Sequence, residues 1–326
     1  MTESTAAMAF VMDPIQKVDI EADTSFALML EAQRRGHRIY YVNPGDLGID
    51  EARVTAKVQL ATLRREAGRH VDLGPPRQVL VDEEFDFVFQ RTDPPVDADY
   101  VTVTQVLSLC RRARVLNRPE GILAANEKLY ALHFPELIPP TCVAREIPKL
   151  LDFLAKMGGE MIVKPLDGKG GEGIFHIRQD DRNLFSILEQ STGFGARWTM
   201  AQRYLPAVRE GDKRILLVEG EPLGAVLRVP AEDETRSNLH VGGRPVKAVI
   251  DEQDRRIIER IAPRLRQDGL FFVGIDVIGG LLTEVNVTSP TGIQEMNALD
   301  GVRYEETVFD HVEALFEGGG GPETTS

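Results

Sequence analysis

Short apolar runs and one amphipathic stretch dominate the first part of the chain. The runs that predict strands are 9–12, 38–42, 85–90 and 115–117. Between the first two runs, apolar residues recur at helical spacing: Phe26, Met29, Leu30 and Ala32. Thr24 or Ser25 is suited to cap this helix, and Gly36 is suited to end it. A strand, a helix and a strand in succession predict a parallel α/β unit.

The rest of the first domain is less regular. The segment 48–80 is polar and weakly patterned, and it predicts a helix together with irregular structure. A helix is predicted for 100–112, and Pro119 and Asn126 are residues that favour helix starts. We expect the first domain to occupy residues 1–125.

Beyond residue 125 the pattern changes, because strands outnumber helices. The predicted strands are 162–165, 173–178, 198–204, 215–218 and 222–229, followed by a hairpin over 271–288. The predicted helices lie at about 147–157, 182–190 and 251–267. Strands joined by short turns predict an antiparallel α+β domain, which we expect to span 126–316. The glycine-rich tail 317–326 is expected to be flexible.

Three polar residues interrupt the apolar hairpin: Asp276, Glu284 and Asn286. Glu284 and Asn286 are two apart and therefore share one face of their strand. A two-residue turn at the paired glycines would place Asp276 opposite Thr283 and turn Glu284 to the other face. A turn one residue longer would place Asp276 opposite Glu284. The sequence leaves both registers open.

The second register gathers two carboxylates and an amide oxygen on one face of the hairpin. Unpaired carboxylates on a half-buried face cost free energy, and a divalent cation removes that cost. Oxygen ligands suit Mg²⁺, with Mn²⁺ as a second candidate. The hairpin therefore predicts a metal site at Asp276, Glu284 and Asn286, and a solvated polar face is the alternative.

Composition narrows the classes of function. The chain has 326 residues, of which 42% are hydrophobic and 27% charged, as in ordinary globular proteins. Its net charge of −13 argues against nucleic acid as a partner, because phosphate binding needs a basic surface. The absence of an 18-residue apolar run predicts no membrane span. Cys110 and Cys142 lack metal-ligand spacing, and we expect a cytoplasmic protein without disulfides.

A glycine-rich loop follows the predicted strand at 162–165. Its glycines allow backbone N–H groups to turn toward an anion: Gly168, Gly170, Gly171 and Gly173. Lys164, at the end of the strand, is placed to reach a phosphate, and Lys128 is a second candidate cation. The loop opens into a strand, so it is neither a P-loop nor a dinucleotide fingerprint. A flexible hairpin turn and a surface lysine are the alternatives.

Two arginines and a lid-like loop suggest phosphoryl transfer. Arg214 and Arg228 lie on neighbouring predicted strands, and charge must be stabilised on several oxygens in such a reaction. A surface ion pair is the alternative. The polar loop 231–244, with Arg236 and Asn238, suits a lid that closes on an anionic substrate.

A strand-to-linker segment suits a purine base. Gln202, Tyr204 and Leu205 follow an apolar strand and precede a proline. Such a segment presents backbone groups to the edge of a purine while Leu205 packs on its face.

These pieces, in this order, resemble the ATP-grasp superfamily and most of all its bacterial glutathione synthetases. The matching strings are Val11-Met12-Asp13-Pro14, 30–36, Asp93-Pro94-Pro95, Asn126-Glu127-Lys128-Leu129, 164–168, Met200-Ala201-Gln202, Tyr204-Leu205-Pro206, Gly211-Asp212-Lys213-Arg214, Glu234-Thr235-Arg236 and 284–291. The resemblance runs from about residue 9 to 316. It implies an N-terminal parallel α/β (pre-ATP-grasp) domain, then a two-subdomain ATP-grasp fold with a lid subdomain at about 126–205 and a C-terminal subdomain at about 206–316.

The resemblance also implies an activity and its site residues. ATP would phosphorylate the cysteinyl carboxylate of γ-glutamylcysteine, and glycine would attack the acyl phosphate, giving glutathione, ADP and phosphate. The implied ATP-binding residues are Lys128, Lys164, Gly168, Gly170, Gly171, Gln202, Tyr204, Leu205 and Asp212. The implied metal ligands for Mg²⁺ or Mn²⁺ are Asp276, Glu284 and Asn286. The implied catalytic residues are Arg214 on the oxyanion, Arg228 on the transferring phosphate and Arg236 in the lid. The implied substrate-binding residues are Arg91, Asn238, Ser289 and Pro290.

Two positions depart from the family pattern. Thr92 stands where a basic residue is favoured, and Gln294 stands where an arginine is expected. Both positions belong to the region that would bind the peptide. The alternatives to glutathione synthesis are a related ATP-grasp ligase with other substrates and a non-catalytic nucleotide-binding scaffold. The resemblance further implies a homo-oligomer, commonly a tetramer.

Overall fold

The computed structural model describes residues 5–168, 170–231 and 242–317. Within these ranges the strands form an eight-stranded, a four-stranded and a five-stranded sheet, which follow one another along the chain. The predicted combination of a parallel α/β domain with antiparallel α+β structure is confirmed.

The N-terminal sheet is parallel at its centre. Its strands are β1 (Ala7–Val11), β2 (Arg38–Val42), β3 (Leu47–Asp50), β4 (Arg53–Leu63), β5 (Val71–Leu73), β6 (Arg77–Leu80), β7 (Phe87–Gln90) and β8 (Arg114–Leu116). The helices are α1 (Thr24–Arg34), α2 (Val81–Glu84), α3 (Ala98–Leu107) and α4 (Pro119–Ala124). Strand β1 pairs in parallel with β2 and β7, and β7 pairs in parallel with β8. The apolar face of α1 is buried with Phe26 and Met29 inaccessible to solvent.

The prediction of a helix and irregular structure within 48–80 is wrong. Strand β4 crosses this segment and pairs antiparallel with β2, β3, β5 and β6. Its buried residues alternate along much of the strand, as Val54, Ala56 and Val58 show, while polar and charged residues occupy the other face. That alternation has the period of a strand, but the polar face diluted the apolar signal.

Three helix boundaries also differ from the predictions. The cap of α1 is Asp23, whose carboxylate accepts a hydrogen bond from the N–H of Phe26, rather than Thr24 or Ser25. Helix α3 ends at Leu107, not at 112. No α-helix begins at Asn126; its side chain caps a turn that leads into a short 3-10 helix, Tyr130–His133.

The four-stranded sheet belongs to the region predicted as the lid subdomain. It contains β9 (Thr141–Ala144), β10 (Glu160–Pro165), β11 (Phe175–Arg178) and β12 (Thr199–Arg203), in the order β11-β10-β12-β9. Helices α5 (Ile147–Lys156) and α6 (Leu184–Thr192) pack against it around a core that includes Leu150, Met161 and Leu188. All its strand pairs are antiparallel, as predicted.

The five-stranded sheet forms the C-terminal part. Its strands are β13 (Asp212–Val218), β14 (Glu221–Val229), β15 (Arg244–Lys247), β16 (Phe272–Ile278) and β17 (Leu281–Asn286), and the helices are α7 (Glu252–Gln267), α8 (Ile293–Asp300) and α9 (Tyr304–Glu317). The order β15-β14-β13-β16-β17 leaves β17 at an edge. Helix α9 returns to the N-terminal domain, where Phe309 joins the core that contains Phe10 and Phe26. Among the described residues, no helix has the length and apolar character that crossing a membrane requires.

Candidate active site

The 271–288 hairpin combines features of both predicted registers. It turns at Gly279 and Gly280, so that Ile278 pairs with Leu281, as in the shorter turn. A bulge then places Asp276 opposite Glu284, as in the longer one. The extra residue is Thr283, whose hydroxyl donates to the carbonyl of Asp276 at 3.1 Å. The cross-strand pairing of the two carboxylates is confirmed, but a bulge produces it rather than a three-residue turn.

Strand β13 supplies the charges that face the hairpin. Arg214 lies opposite Asp276 on β16, and Asp212 lies opposite Arg228 on β14. Because Asp212 and Arg214 are two residues apart, they project from the same face of β13. The sheet register therefore gathers two carboxylates and two guanidinium groups on one surface.

These four side chains form a buried ion-pair cluster. The carboxylate of Asp276 accepts from Nη2 of Arg214 at 3.0 Å and contacts Nη2 of Arg228 at 3.0 Å. Burial alone would raise the pKa of Asp276, but the two guanidinium groups hold that pKa well below its usual range. Burial raises the pKa of Asp212 to about 6 even though Arg228 contacts it and opposes the shift. The neighbouring charges therefore shift the pKa values of both carboxylates. Arg214 and Arg228 are buried, so the alternative of a surface ion pair is wrong.

Two buried lysines reach the same hairpin from other parts of the chain. Nζ of Lys128 lies 3.0 Å from a carboxylate oxygen of Glu284 and donates to the carbonyl of Gly168 at 2.7 Å. Nζ of Lys164, at the end of β10, donates to the carbonyl of Thr283 at 3.4 Å. Burial lowers the pKa of Lys164, and Glu284 opposes that shift. The surface-lysine alternative for Lys128 is wrong, because its side chain is buried between the glycine-rich loop and the hairpin.

The glycine-rich loop requires its glycines. Gly170 and Gly171 have φ values of 58° and 84°, in the left-handed region that favours glycine. A Cβ on Gly168 would lie 2.7 Å from Cγ of Pro165. The loop therefore folds back tightly over the end of β10, beside the two lysines.

The residues predicted to surround adenine lie on and after β12. Gln202 is buried, and its amide donates to the hydroxyl of Thr141 at 3.0 Å. The ring of Tyr204 stacks on His176 with centroids 4.0 Å apart, and Leu205 precedes the 3-10 helix Pro206–Arg209. His176 had no signal in the sequence, because only the pairing of β10 with β11 brings it to this place.

Three of the four predicted peptide-binding residues lie where the N-terminal domain contacts the segment after β17: Arg91, Ser289 and Pro290. The buried guanidinium of Arg91 donates to the carbonyl of Pro290 at 2.9 Å and to the hydroxyl of Ser25 at 3.0 Å. Burial lowers the pKa of Arg91, and Asp23 opposes that shift. Ser289 is half-buried beside Pro290. Arg236 and Asn238 lie outside the described residues.

The two departures from the family pattern have different surroundings. Gln294 is buried, donates to the carbonyls of Ile20 and Asp23, and accepts from Nη2 of Arg65 at 2.7 Å. A guanidinium from the N-terminal domain therefore stands beside the position where an arginine was expected. The hydroxyl of Thr92 is buried and has no hydrogen-bond partner among the described residues.

Sequence reasoning assigned no role to Asn117 and Glu127, which secure the open end of the hairpin. The amide of Asn117 donates to the carbonyls of Phe272 and Val287 and accepts from the N–H of Phe272. Glu127 bonds to Val287 and Thr288. The sequence around these two residues did not indicate the contacts, because the partners are mostly backbone groups and lie about 155 to 170 residues away.

Family comparisons cover almost the whole chain. Residues 7–122 match the model of the prokaryotic glutathione synthetase N-terminal domain, and residues 127–301 match that of the prokaryotic glutathione synthetase ATP-grasp domain. A glutathione synthetase from Gloeobacter violaceus is 48% identical over 92% of this chain and 94% of that protein. Glutathione synthetases from Xanthomonas campestris and Brucella melitensis are 46% and 43% identical, over 93% and 94% of this chain and 96% and 98% of their own lengths.

Solved structures show the same fold at low identity. The D-cycloserine synthetase DcsG has a TM-score of 0.66 at 17% identity, covering 94% of this chain and 99% of its own. The ATP-grasp ligase PsnB, complexed with a minimal precursor, has a TM-score of 0.61 at 15% identity, covering 95% of this chain and 99% of its own. These similarities confirm the predicted ATP-grasp fold.

Proposed function

The chain belongs to the prokaryotic glutathione synthetase family, and from this premise we propose how its own residues carry out the family's reaction. The protein is an ATP-dependent ligase of glutathione biosynthesis, which joins γ-glutamylcysteine and glycine with formation of ADP and phosphate. The scaffold alternative is therefore rejected.

Lys128 and Lys164 are proposed to hold the phosphates of ATP. The ammonium group of Lys128 contacts the Gly168 carbonyl of the glycine-rich loop, and Lys164 lies at the end of the strand that leads into this loop. Gly170 and Gly171 would direct backbone N–H groups to the same anion. Gln202, Tyr204 and Leu205 would line the adenine pocket, and Asp212 would complete the nucleotide site.

We propose that the hairpin donor set holds a divalent cation, which would replace part of the present ion pairs of its two carboxylates. Asp276 and Glu284 face each other across the strands, and Nδ2 of Asn286 lies 3.5 Å from a carboxylate oxygen of Asp276. No three His, Cys, Asp or Glu side chains group as metal ligands in the described part of the chain, so this set depends on the amide of Asn286. Two carboxylates and an amide oxygen are ligands that Mg²⁺ accepts, as does Mn²⁺. When bound, the cation would neutralise charge on the phosphates.

Arg214 and Arg228 are proposed to stabilise the negative charge that develops during phosphoryl transfer and acyl transfer. Arg214 would face the oxyanion, and Arg228 the transferring phosphate. Their guanidinium groups are fixed in advance by Asp276 and Asp212, so little reorganisation is needed as charge develops. Asp212 and Asp276 would thereby orient the arginines, in addition to binding the nucleotide (Asp212) and the metal (Asp276).

Arg91, Ser289 and Pro290 are proposed to bind the peptide substrate. Arg91 already lies against Pro290, at the seam between the two domains. Arg236 and Asn238, in the loop 231–244, would close over the acyl phosphate and exclude water, which would otherwise hydrolyse it. Thr92 and Gln294 would shape peptide affinity.

The organisation around the site completes the proposal. We assign residues 1–125 to the peptide-binding domain, 126–205 to the lid and 206–316 to the subdomain that carries the hairpin. We further propose a cytoplasmic homo-oligomer, a tetramer as the family resemblance implies, with small molecules as its ligands and neither nucleic acid nor membrane as a partner.

The observation that carries these residue assignments is the convergence of Lys128, Lys164 and Arg214 on one hairpin. Lys128 and Arg214 contact its two carboxylates, and Lys164 contacts a backbone carbonyl between them. The test measures ADP release with ATP, Mg²⁺ and γ-glutamylcysteine, with and without glycine. Glycine-dependent turnover with glutathione formed is the expected result. Mg·ATP binding without glycine-dependent turnover would contradict the assigned substrates and direct the search to other acceptors.

A further inference from the structure

A short segment between the two domains contacts the hairpin through Glu127. Its Oε1 accepts three hydrogen bonds, from the N–H of Val287 at 2.8 Å, the N–H of Thr288 at 3.1 Å and the hydroxyl of Thr288 at 2.9 Å. The carbonyl of Glu127 also accepts from the N–H of Val285 at 2.9 Å. One residue thus takes four hydrogen bonds from the end of β17 and the residues after it.

These bonds satisfy backbone groups that a further strand beside β17 would otherwise pair with. Strand β17 is the edge of its sheet, so every second N–H of its backbone points away from β16. Val285 is such a position, and Val287, the first residue after the strand, continues the alternation; the two flank Asn286. Because side chains alternate along a strand, fixing the backbone of Val285 and Val287 also fixes the direction in which Glu284 and Asn286 project.

The same segment reaches the phosphate side of the site. Lys128, the next residue, contacts both Glu284 and the carbonyl of Gly168. Asn126, the preceding residue, donates to the carbonyl of Leu166 at 3.1 Å. Three consecutive residues therefore tie the glycine-rich loop to the strand that carries two candidate metal ligands.

We propose that Glu127 is a positioning residue, which sets the metal-ligand strand at the distance from the phosphate-binding lysines that a metal–nucleotide complex requires. This inference rests on the magnesium site proposed above. In this role Glu127 would contact neither metal nor substrate. It acts through the backbone of Val287 and Thr288.

The test compares nucleotide affinity with and without Mg²⁺ by calorimetry, using a non-hydrolysable ATP analogue, and Mn²⁺ binding by electron paramagnetic resonance. In Glu127→Ala we expect the dissociation constant with Mg²⁺ to rise at least about tenfold, as losses around metal ligands do, and the metal-free constant to change little. Glu127→Gln should restore most of the affinity, because its amide oxygen still accepts from Val287 and Thr288.

Asp82 provides a matched control. Its carboxylate accepts from the backbone N–H groups of Arg111, Arg112 and Ala113 in the N-terminal domain, so it clamps a loop as Glu127 does. Asp82→Ala should lower the melting temperature while leaving unchanged the increase in nucleotide affinity that Mg²⁺ causes. If Glu127→Ala does not fold, Thr288→Val removes only the hydroxyl bond to Glu127 and should weaken Mg²⁺-dependent binding in the same direction, by a smaller factor.

The outcomes separate the two proposals. A wild-type protein whose nucleotide affinity does not respond to Mg²⁺ would overturn the metal site and this inference with it. If Mg²⁺ raises the nucleotide affinity of the wild type, and raises that of Glu127→Ala and Thr288→Val equally, only the positioning role would be overturned. Equal weakening of metal-free and Mg²⁺-dependent binding in Glu127→Ala would also overturn it, because the loss would then not concern the metal-ligand strand.

Discussion

Two clusters of ion pairs in the described residues differ in which charges they bury. Where α1 meets α9, the side chain of Glu31 is fully buried and bonded to Arg34 and Arg303, whose own side chains are 51% and 46% exposed. In the hairpin cluster, the side chains of Asp276 and Arg214 are only 4% and 8% exposed. The first cluster buries its carboxylate but leaves two of the three arginines around it exposed, whereas the second buries both signs of charge.

The difference fits a structural role for the first cluster and the catalytic role that we propose for the second. An arginine that keeps its charged end in water loses little hydration, so the α1–α9 cluster joins two elements at a modest cost. Burying both partners removes hydration from each, and the attraction between them often fails to compensate. A fold selected for stability alone gains little from the hairpin cluster. Phosphoryl transfer gains from it, because fixed charges in a water-poor site act strongly on a transition state.

The largest effect is expected from Arg214→Ala. Losing this guanidinium should lower kcat by about 10²- to 10³-fold, or about 2.7–4 kcal/mol, with a smaller change in the KM for ATP. Steady-state ADP release with saturating glycine and γ-glutamylcysteine measures both. An unchanged kcat would show that Arg214 has no part in the mechanism, and the hairpin cluster would then have no catalytic role to distinguish it from the α1–α9 cluster. Arg34→Ala, in the other cluster, is the matched control and should leave kcat unaffected.

Unlike Arg214→Ala, the variant Glu31→Ala should lower the stability of the fold and leave kcat unchanged. Removing the carboxylate ends its bonds with Arg34, Arg35 and Arg303 and should lower the free energy of unfolding by about 1–3 kcal/mol. The loss should stay moderate because two of the three arginines already reach water. Urea unfolding at neutral pH measures it, and kcat at a temperature well below unfolding should match the wild type. A fall in kcat comparable to that of Arg214→Ala would contradict a purely structural role.

Sequence patterns predicted which polar residues share a face of the hairpin better than they predicted its turn geometry. The spacing of Glu284 and Asn286 was enough to place them on one face, but turn rules offered two registers and neither included the bulge at Thr283. A bulge depends on contacts that a local pattern does not contain, here the hydroxyl of Thr283 on the carbonyl of Asp276 and the support from Glu127. The fold class followed from element order, and the ordered motifs predicted the family.

The misassigned segment 48–80 illustrates a second limit. Strand β4 is stabilised by antiparallel partners on both sides, two of which lie after it in the chain. Its polar face made it look irregular in a single-sequence pattern. The contacts of Arg34 and Arg35 with α9 were likewise not predicted, because their partners on that helix lie more than 270 residues away. The structure of these regions depends on contacts between residues far apart in the chain rather than on local propensity.

The pH dependence of stability should sharpen the contrast. Burial alone would raise the pKa of Glu31, but hydrogen bonds from Arg34 and Arg35 bring it below its ordinary value of 4.5. A lowered pKa in the folded state gives stability that is present above pH 4.5 and lost as the pH falls through the folded value. The stability difference between wild type and Glu31→Gln should therefore shrink as the pH falls below about 4.5. Urea unfolding from pH 7 downward checks this, and a difference that is constant with pH would show that the charge of Glu31 contributes nothing.

The smallest effect is expected from Arg303→Ala. Arg303 contacts Glu31 at 2.6 Å, but nearly half of its side chain is exposed and Glu31 keeps Arg34 and Arg35 as partners. Ion pairs with one partner in water contribute about 0.2–1 kcal/mol, so the loss in the free energy of unfolding should stay within that range. A double-mutant cycle with Glu31→Ala isolates the coupling between the two side chains. A coupling above about 2 kcal/mol would mean that this cluster, too, depends on buried charge of both signs, and exposure of the arginines would no longer separate the structural cluster from the functional one.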